Sequence, residues 1–176
     1  MATPTSTVLK VLVPAAIAVF VGARARRQRL DPRQDLGMRW PGALPVLAWL
    51  GAYAAYMLGT DALFHWRGPF DFAPWRAIPL AVAAARVLAV GVIGPTAEEL
   101  VFRGYGYARL TRTRLGVGRS IGLLAAAWSV VHIEYGWQVL LLLFGAGLLL
   151  GAARHRTGSV VTPVAMHVLW NLYAIW

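Results

Sequence analysis

The sequence LLFGAGLLLGAA, residues 142–153, contains no charged or hydrogen-bonding side chain. Glycine and alanine recur in it at the spacing at which helices pack, and small residues let membrane helices approach closely. A helix crosses the hydrocarbon core of a bilayer with about 20 mostly apolar residues. This stretch therefore predicts a membrane-spanning helix that packs tightly against a neighbour.

Composition and charge are typical of a membrane protein. Of the 176 residues, 59% are hydrophobic and only 14% are charged. Seventeen basic residues oppose seven acidic ones, and the basic residues, nearly all arginine, gather between apolar stretches. This pattern predicts anchoring to the headgroups of a lipid bilayer and no nucleic-acid partner. The chain has no cysteine, which excludes disulfides, thiolate catalysis and cysteine-ligated metals.

Seven apolar segments, bounded by Arg, Pro, Gly or Trp, are candidates for membrane spans. They lie near residues 7–23, 43–60, 77–94, 96–110, 120–135, 137–153 and 158–176. The connections after the second segment are short, and no separate soluble domain is apparent. The sequence therefore predicts an all-α fold, a polytopic transmembrane helix bundle of about six to seven spans. Residues 1–176 are expected to form a single integral membrane domain.

A charged cluster lies within this apolar chain, in PTAEELVFRG, residues 95–104. A charge at membrane depth is costly, so one that persists is expected to pair or to line a wet cavity. Neighbouring helical residues point about 100° apart, which gives Glu98 and Glu99 different surroundings, whereas Glu99 and Arg103 can pair along one face. Pro95 predicts the start of a new helix at this point. The alternative is that both acids cap an interfacial helix end.

Two later segments also carry polar side chains at membrane depth. His132 lies near the end of the fifth segment, in WSVVHIEYG, and the seventh contains His167 and Asn171, in MHVLWNLYA. His167 and Asn171 are four residues apart and share one helix face. Taken singly, each histidine could be a packing residue and the asparagine a bridge to a neighbouring backbone. Polar groups on three segments together indicate a site.

Glutamate, two histidines and an asparagine suit hydrolysis of an amide bond. A glutamate in an apolar pocket can take a proton from water, and a histidine can orient that water. The other histidine and the asparagine can donate hydrogen bonds to the oxygen of a carbonyl as it becomes tetrahedral. A zinc site built from the glutamate and both histidines is the competing interpretation. The chain has no H-E-x-x-H helix and asparagine is an unusual ligand, so catalysis without a metal is favoured.

Three motifs in this order resemble those of the CPBP intramembrane proteases. They are E-E-x-x-x-R at 98–103, an aromatic residue followed by x-x-x-H at 128–132, and H-x-x-x-N at 167–171. The family includes the type II CAAX prenyl endopeptidases and bacterial relatives associated with bacteriocin immunity and abortive infection. The resemblance covers residues 77–176. Trp128 stands where the family usually has phenylalanine, a change expected to be tolerated because both supply an aromatic wall.

The resemblance implies an α-helical membrane protease of the glutamic type. Glu98 would be the base, His132 would hold and activate water, and His167 with Asn171 would form the oxyanion site. Glu99 and Arg103 would orient Glu98. No cofactor is required, with zinc as the alternative. The expected partner is a membrane-anchored protein or peptide, cleaved near its C-terminus in a bacterial or archaeal cell membrane. A proton-coupled transporter and an idle binding or immunity protein of the same fold remain as other functions.

The arginines give conflicting indications about orientation. Those from Arg24 to Arg39 indicate that the end of the first segment is cytoplasmic. If seven segments all cross, a second group falls on the other side: Arg109, Arg112, Arg114, Arg119, Arg154 and Arg156. Either the third and fourth segments cross once together, or the charge count is overridden.

Overall fold

The computed structural model describes residues 4–66 and 78–175. The described residues form six helices and a short 3-10 helix at Ile133–Tyr135: α1 (Pro4–Arg27), α2 (Ala43–Phe64), α3 (Leu80–Leu110), α4 (Gly116–Val130), α5 (Trp137–Thr157) and α6 (Val161–Ile175). These residues contain no strand, so the predicted all-α fold is confirmed. The predicted segment boundaries at residues 77 and 176 lie outside the described residues.

Three of the described helices are long and apolar enough to cross a membrane, namely α2, α3 and α5. Helix α6 is also apolar but has only 15 residues. These lengths and compositions are consistent with an integral membrane protein. The predicted count of six to seven spans is not confirmed.

The third and fourth predicted segments are one helix, so the helix start predicted at Pro95 is wrong. Helix α3 runs unbroken for 31 residues and contains two π-helical stretches, Ala89–Ile93 and Leu100–Gly106. A proline inside an α-helix removes an amide donor and crowds the preceding turn. The wider π stretch just before Pro95 gives the ring room, and the helix continues. Glu98 and Glu99 therefore lie inside α3, and the alternative that they cap a helix end is also wrong.

Helices α4 and α5 approach closely through the small residues of LLFGAGLLLGAA. A Cβ placed on Gly147 would lie 2.9 Å from the Cβ of Ala125, and one placed on Gly151 would lie 2.6 Å from Cγ2 of Ile121. Both distances are shorter than van der Waals contact, so any larger residue would push the helices apart. The tight packing predicted for this stretch is confirmed.

Aromatic side chains join α2 to the rest of the bundle. Trp66, just after α2, stacks on Trp170 of α6 with ring centroids 4.6 Å apart. Tyr53 is fully buried against the same indole, at 5.5 Å. The hydroxyl of Tyr56 donates to the carbonyl of Leu142 on α5 over 2.8 Å. These contacts hold α2, α5 and α6 around the polar groups described next.

Candidate active site

Four polar side chains from three parts of the chain line one cavity of about 90 Å³. Glu98 comes from α3, His132 from the turn after α4, and His167 and Asn171 from α6. The rest of the lining is mostly aromatic or aliphatic: Val90, Trp128, Tyr135, Leu143, Trp170, Ala174 and Ile175. A cavity needs roughly 10–15 Å³ to hold one water. This one therefore has room for several water molecules among the four polar groups.

Glu98 is held by Trp128, which the sequence indicated only as an aromatic wall. The indole Nε1–H donates to Oε2 of Glu98 over 2.7 Å, and Trp128 is 2% exposed. A hydrogen bond to an ionised carboxylate is stronger than one between neutral groups. It fixes one oxygen of the carboxylate and leaves Oε1 for water in the cavity.

The last turn of α4 orients His132. Its Nδ1 lies 2.9 Å from the carbonyl oxygen of Trp128. Because a carbonyl only accepts, Nδ1 carries the proton and Nε2 of the neutral ring is an acceptor. Tyr135 stacks on this ring, with centroids 5.8 Å apart. Burial, and then the neighbouring Glu134, raise the pKa of Tyr135 above its usual 10.0, so its phenol stays neutral and donates to the Glu134 carboxylate.

Glu99, Arg103 and His167 form a buried cluster beside the cavity. Nη1 of Arg103 donates to Oε1 of Glu99 over 2.9 Å, so the predicted pair is present. Nδ1 of His167 lies 3.0 Å from the same oxygen. Their side chains are at most 4% exposed. The resemblance implied that this pair orients Glu98, but the contact made by Glu99 is to His167, the residue that it positions.

Arg103 also connects the cluster to α4 and α5. Its Nη2 donates to the carbonyl of Gly147 over 3.2 Å, and its guanidinium lies 5.0 Å from the ring centroid of Trp128. A cation over an indole face is attracted by the ring quadrupole. Arg103 therefore contacts both Glu99, the carboxylate bonded to His167, and Trp128, the indole bonded to Glu98.

Asn171 is anchored by a carbonyl that Pro95 leaves free. In the π stretch Ala89–Ile93, amides bond to the carbonyl five residues earlier. The carbonyl of Val90 would take the N–H of residue 95, which proline lacks. It accepts from Nδ2 of Asn171 instead, over 2.8 Å. The Asn171 amide keeps a second N–H for a ligand.

A second cavity, of about 320 Å³, adjoins Glu98 and His132. The rest of its lining is apolar and comes from α1, α3 and the residue after α4: Ile17, Ala97, Val101, Phe102 and Val131. Glu98 and His132 therefore stand between a polar cavity and an apolar one.

The zinc site considered from the sequence would use Glu98, His132 and His167. Among the described residues, no three His, Asp or Glu side chains cluster as metal ligands. Oε2 of Glu98 accepts from Trp128, and Nδ1 of His167 lies 3.0 Å from Glu99, which leaves Oε1 of Glu98 and Nε2 of His167 as the atoms that could bind a metal.

Sequence reasoning did not identify three groups of the site. The Trp128 indole had a signal, because a buried indole N–H needs an acceptor that phenylalanine does not. The sequence also contained a signal for the Val90 carbonyl, since proline within a helix frees a carbonyl in the preceding turn. Nothing in the sequence pattern marked Tyr135.

The fold and the site define a class of protein: a helical membrane protein with a carboxylate, two imidazoles and an amide around an internal cavity. The family model described as type II CAAX prenyl endopeptidase Rce1-like matches residues 79–173, more than half of the chain. The chain therefore belongs to the Rce1-like family, which implies an intramembrane CAAX-type endopeptidase. The resemblance to the CPBP proteases is thereby confirmed. Neither the curated proteins nor the solved structures gave a match.

Proposed function

We propose that this protein hydrolyses a peptide bond near a membrane-embedded, C-terminal segment of a substrate protein, by a glutamic mechanism without a metal. The observation that carries the proposal is the meeting of Glu98, His132, His167 and Asn171 around one cavity. The cavity is large enough for water and lies beside an apolar pocket. The expected setting is a bacterial or archaeal cell membrane.

In the first step, Glu98 acts as the general base. Oε2 stays bonded to the Trp128 indole, and Oε1 takes a proton from water as the water oxygen bonds to the substrate carbonyl carbon. Nε2 of His132 accepts the second hydrogen of the same water and so fixes its direction of attack. When the C–N bond breaks, Glu98 returns its proton to the leaving nitrogen.

The tetrahedral oxyanion is stabilised from α6. Nδ1–H of His167 donates to Glu99, which leaves Nε2 toward the substrate, and donation from Nε2 requires the doubly protonated ring. Asn171 supplies its second N–H while the first stays on Val90. These donors are fixed before the reaction, which is the arrangement that oxyanion stabilisation needs.

The Glu98→Gln variant tests the function. The amide oxygen of the substituted side chain would still accept from Trp128, but the amide could not take a proton from water. We therefore expect the fold to be kept and cleavage to be lost. Mass spectrometry of membrane-protein termini, in cells with the wild type or the variant, would reveal substrates as new termini made only by the wild type. Glu134→Gln, at an exposed carboxylate, is the matched control.

Full cleavage by the Glu98→Gln variant would refute the assignment of the base. Loss of cleavage on chelation, with recovery on adding zinc, would refute the glutamic mechanism. If the protein is a transporter or an idle binding protein of this fold, cells with the wild type and cells with the Glu98→Gln variant would show the same membrane-protein termini.

A further inference from the structure

Three connections of the chain meet at one end of the bundle, which we call the basic end: residues 28–42, 111–115 and 158–160. Asp35 of the first forms an ion pair with Arg112 of the second. The carbonyl of Asp35 accepts from Nη2 of Arg154 over 2.9 Å. Nε of Arg39 donates to the carbonyl of Gly158 over 3.2 Å. These bonds put the ends of α1, α3 and α5 at the same side of the bundle.

Most of the basic residues of the chain lie at the basic end. Twelve of the seventeen are in these connections or within four residues of them: Arg24, Arg26, Arg27, Arg29, Arg33, Arg39, Arg109, Arg112, Arg114, Arg119, Arg154 and Arg156. Only Asp31 and Asp35 oppose them there. By contrast, the sequence stretches that connect α2 to α3 and α4 to α5 together contain only two basic residues, Arg67 and Arg76. The conflict between the arginine groups disappears, because α3 is one helix.

The polar cavity opens away from the basic end. Helices α4 and α6 begin at that end. His132 lies about 24 Å from the first residue of α4, measured along the helix axis at 1.5 Å per residue. A hydrocarbon core is about 30 Å thick, which puts His132 near its far side. Exposure increases in the same direction, from 3% for His167 to 42% for Tyr135. Ile175, the last residue of α6, also lines the cavity on that side.

We propose that the basic end faces the cytoplasm, against anionic lipid headgroups, and that the cavity opens toward the non-cytoplasmic side. Lys and Arg near helix ends set orientation in short-looped membrane proteins, and anionic lipids of the cytoplasmic leaflet attract them. One consequence of this orientation rests on the proposed function: the segment that is cleaved reaches the site from the non-cytoplasmic side.

The absence of cysteine gives a direct test of orientation. Leu115→Cys places one thiol at the basic end and Ile133→Cys places one beside the cavity, both at exposed residues and without a change in charge. Intact bacterial cells producing each full-length variant are treated with a membrane-impermeant maleimide, before and after permeabilisation of the inner membrane. We expect Ile133→Cys to label in intact cells and Leu115→Cys only after permeabilisation.

The reverse pattern, or labelling of both thiols on the same side, would overturn the inference. Glu134→Cys is a second reporter beside the cavity if lipid shields position 133. Labelling does not depend on cleavage. A wrong orientation would therefore leave the endopeptidase proposal standing, and an inactive protein would leave the orientation result valid.

Discussion

The side-chain amide of Asn171 donates to the main-chain carbonyl of Val90 over 2.8 Å, at the position where Pro95 supplies no N–H. One proline in the acidic motif of α3 thus sets the direction of an amide on α6. The relationship links backbone chemistry in the first motif to a side chain in the third.

Pro95→Ala should lower activity without unfolding the protein. Alanine restores an N–H that competes with Asn171 for the Val90 carbonyl, while it favours helix more than proline does. We expect kcat to fall by about tenfold, the effect of losing one oriented hydrogen bond of about 1.4 kcal/mol. Melting temperature in detergent should stay equal or rise. In a double-mutant cycle with Asn171→Ala, additive losses would contradict the link.

Trp128→Phe should lower the activity. The variant keeps an aromatic ring but removes the indole N–H that fixes Oε2 of Glu98. A base that is no longer held in one direction is less well placed to take a proton from water. We expect kcat/KM to fall by about tenfold, the effect of losing one oriented hydrogen bond of about 1.4 kcal/mol. The measurement is kcat/KM of the purified variant beside that of the wild type.

Trp170→Phe is the matched control for that loss. Trp170 is a buried indole lining the same cavity, and its ring packs on Trp66. The control removes a similar volume but keeps the donor to Glu98, so kcat/KM should fall much less. Equal losses in the two variants would mean that volume, and not the indole N–H, controls the rate.

Glu99→Gln should destabilise the protein because it leaves Arg103 buried without a counter-ion. Breaking one partner of a buried pair costs about 3–5 kcal/mol. The double variant Glu99→Gln, Arg103→Met should recover stability, measured by thermal unfolding in detergent, but not activity, because His167 loses its carboxylate partner. Wild-type kcat in the double variant would show that Glu99 is only structural.

Ile17→Trp should fill the apolar cavity and change substrate preference. Substrates with a large apolar residue beside the cleaved bond should lose about 10- to 200-fold in kcat/KM, and those with alanine there should be little affected. Val19→Trp is the matched control, because Val19 is 73% exposed on the same helix. Equal losses for both substrate types would mean that the cavity does not bind the apolar group.

How much the sequence predicts depends on the range of each contact. The Glu99–Arg103 pair lies within one helix, so residue spacing predicts it. The contact between Glu99 and His167 joins residues 68 positions apart, and the spacing of the motifs does not say which carboxylate the imidazole meets. The proline indicates that a carbonyl in the preceding turn lacks its amide partner, but the spacing does not say that Asn171, 81 residues from Val90, supplies the donor. Packing between α4 and α5 was predictable, since glycine allows a close approach whichever helix provides the partner.

The local pairing of Glu99 with Arg103 also has a consequence for biogenesis. Both residues belong to α3, so the helix can enter the bilayer with this ion pair already formed, before α4, α5 and α6 have been synthesised. Glu98 obtains its donor from α4, the next helix to leave the ribosome, and His167 arrives last on α6. The polar groups therefore gain their partners in the order of translation, and the complete cluster exists only after α6 has been inserted.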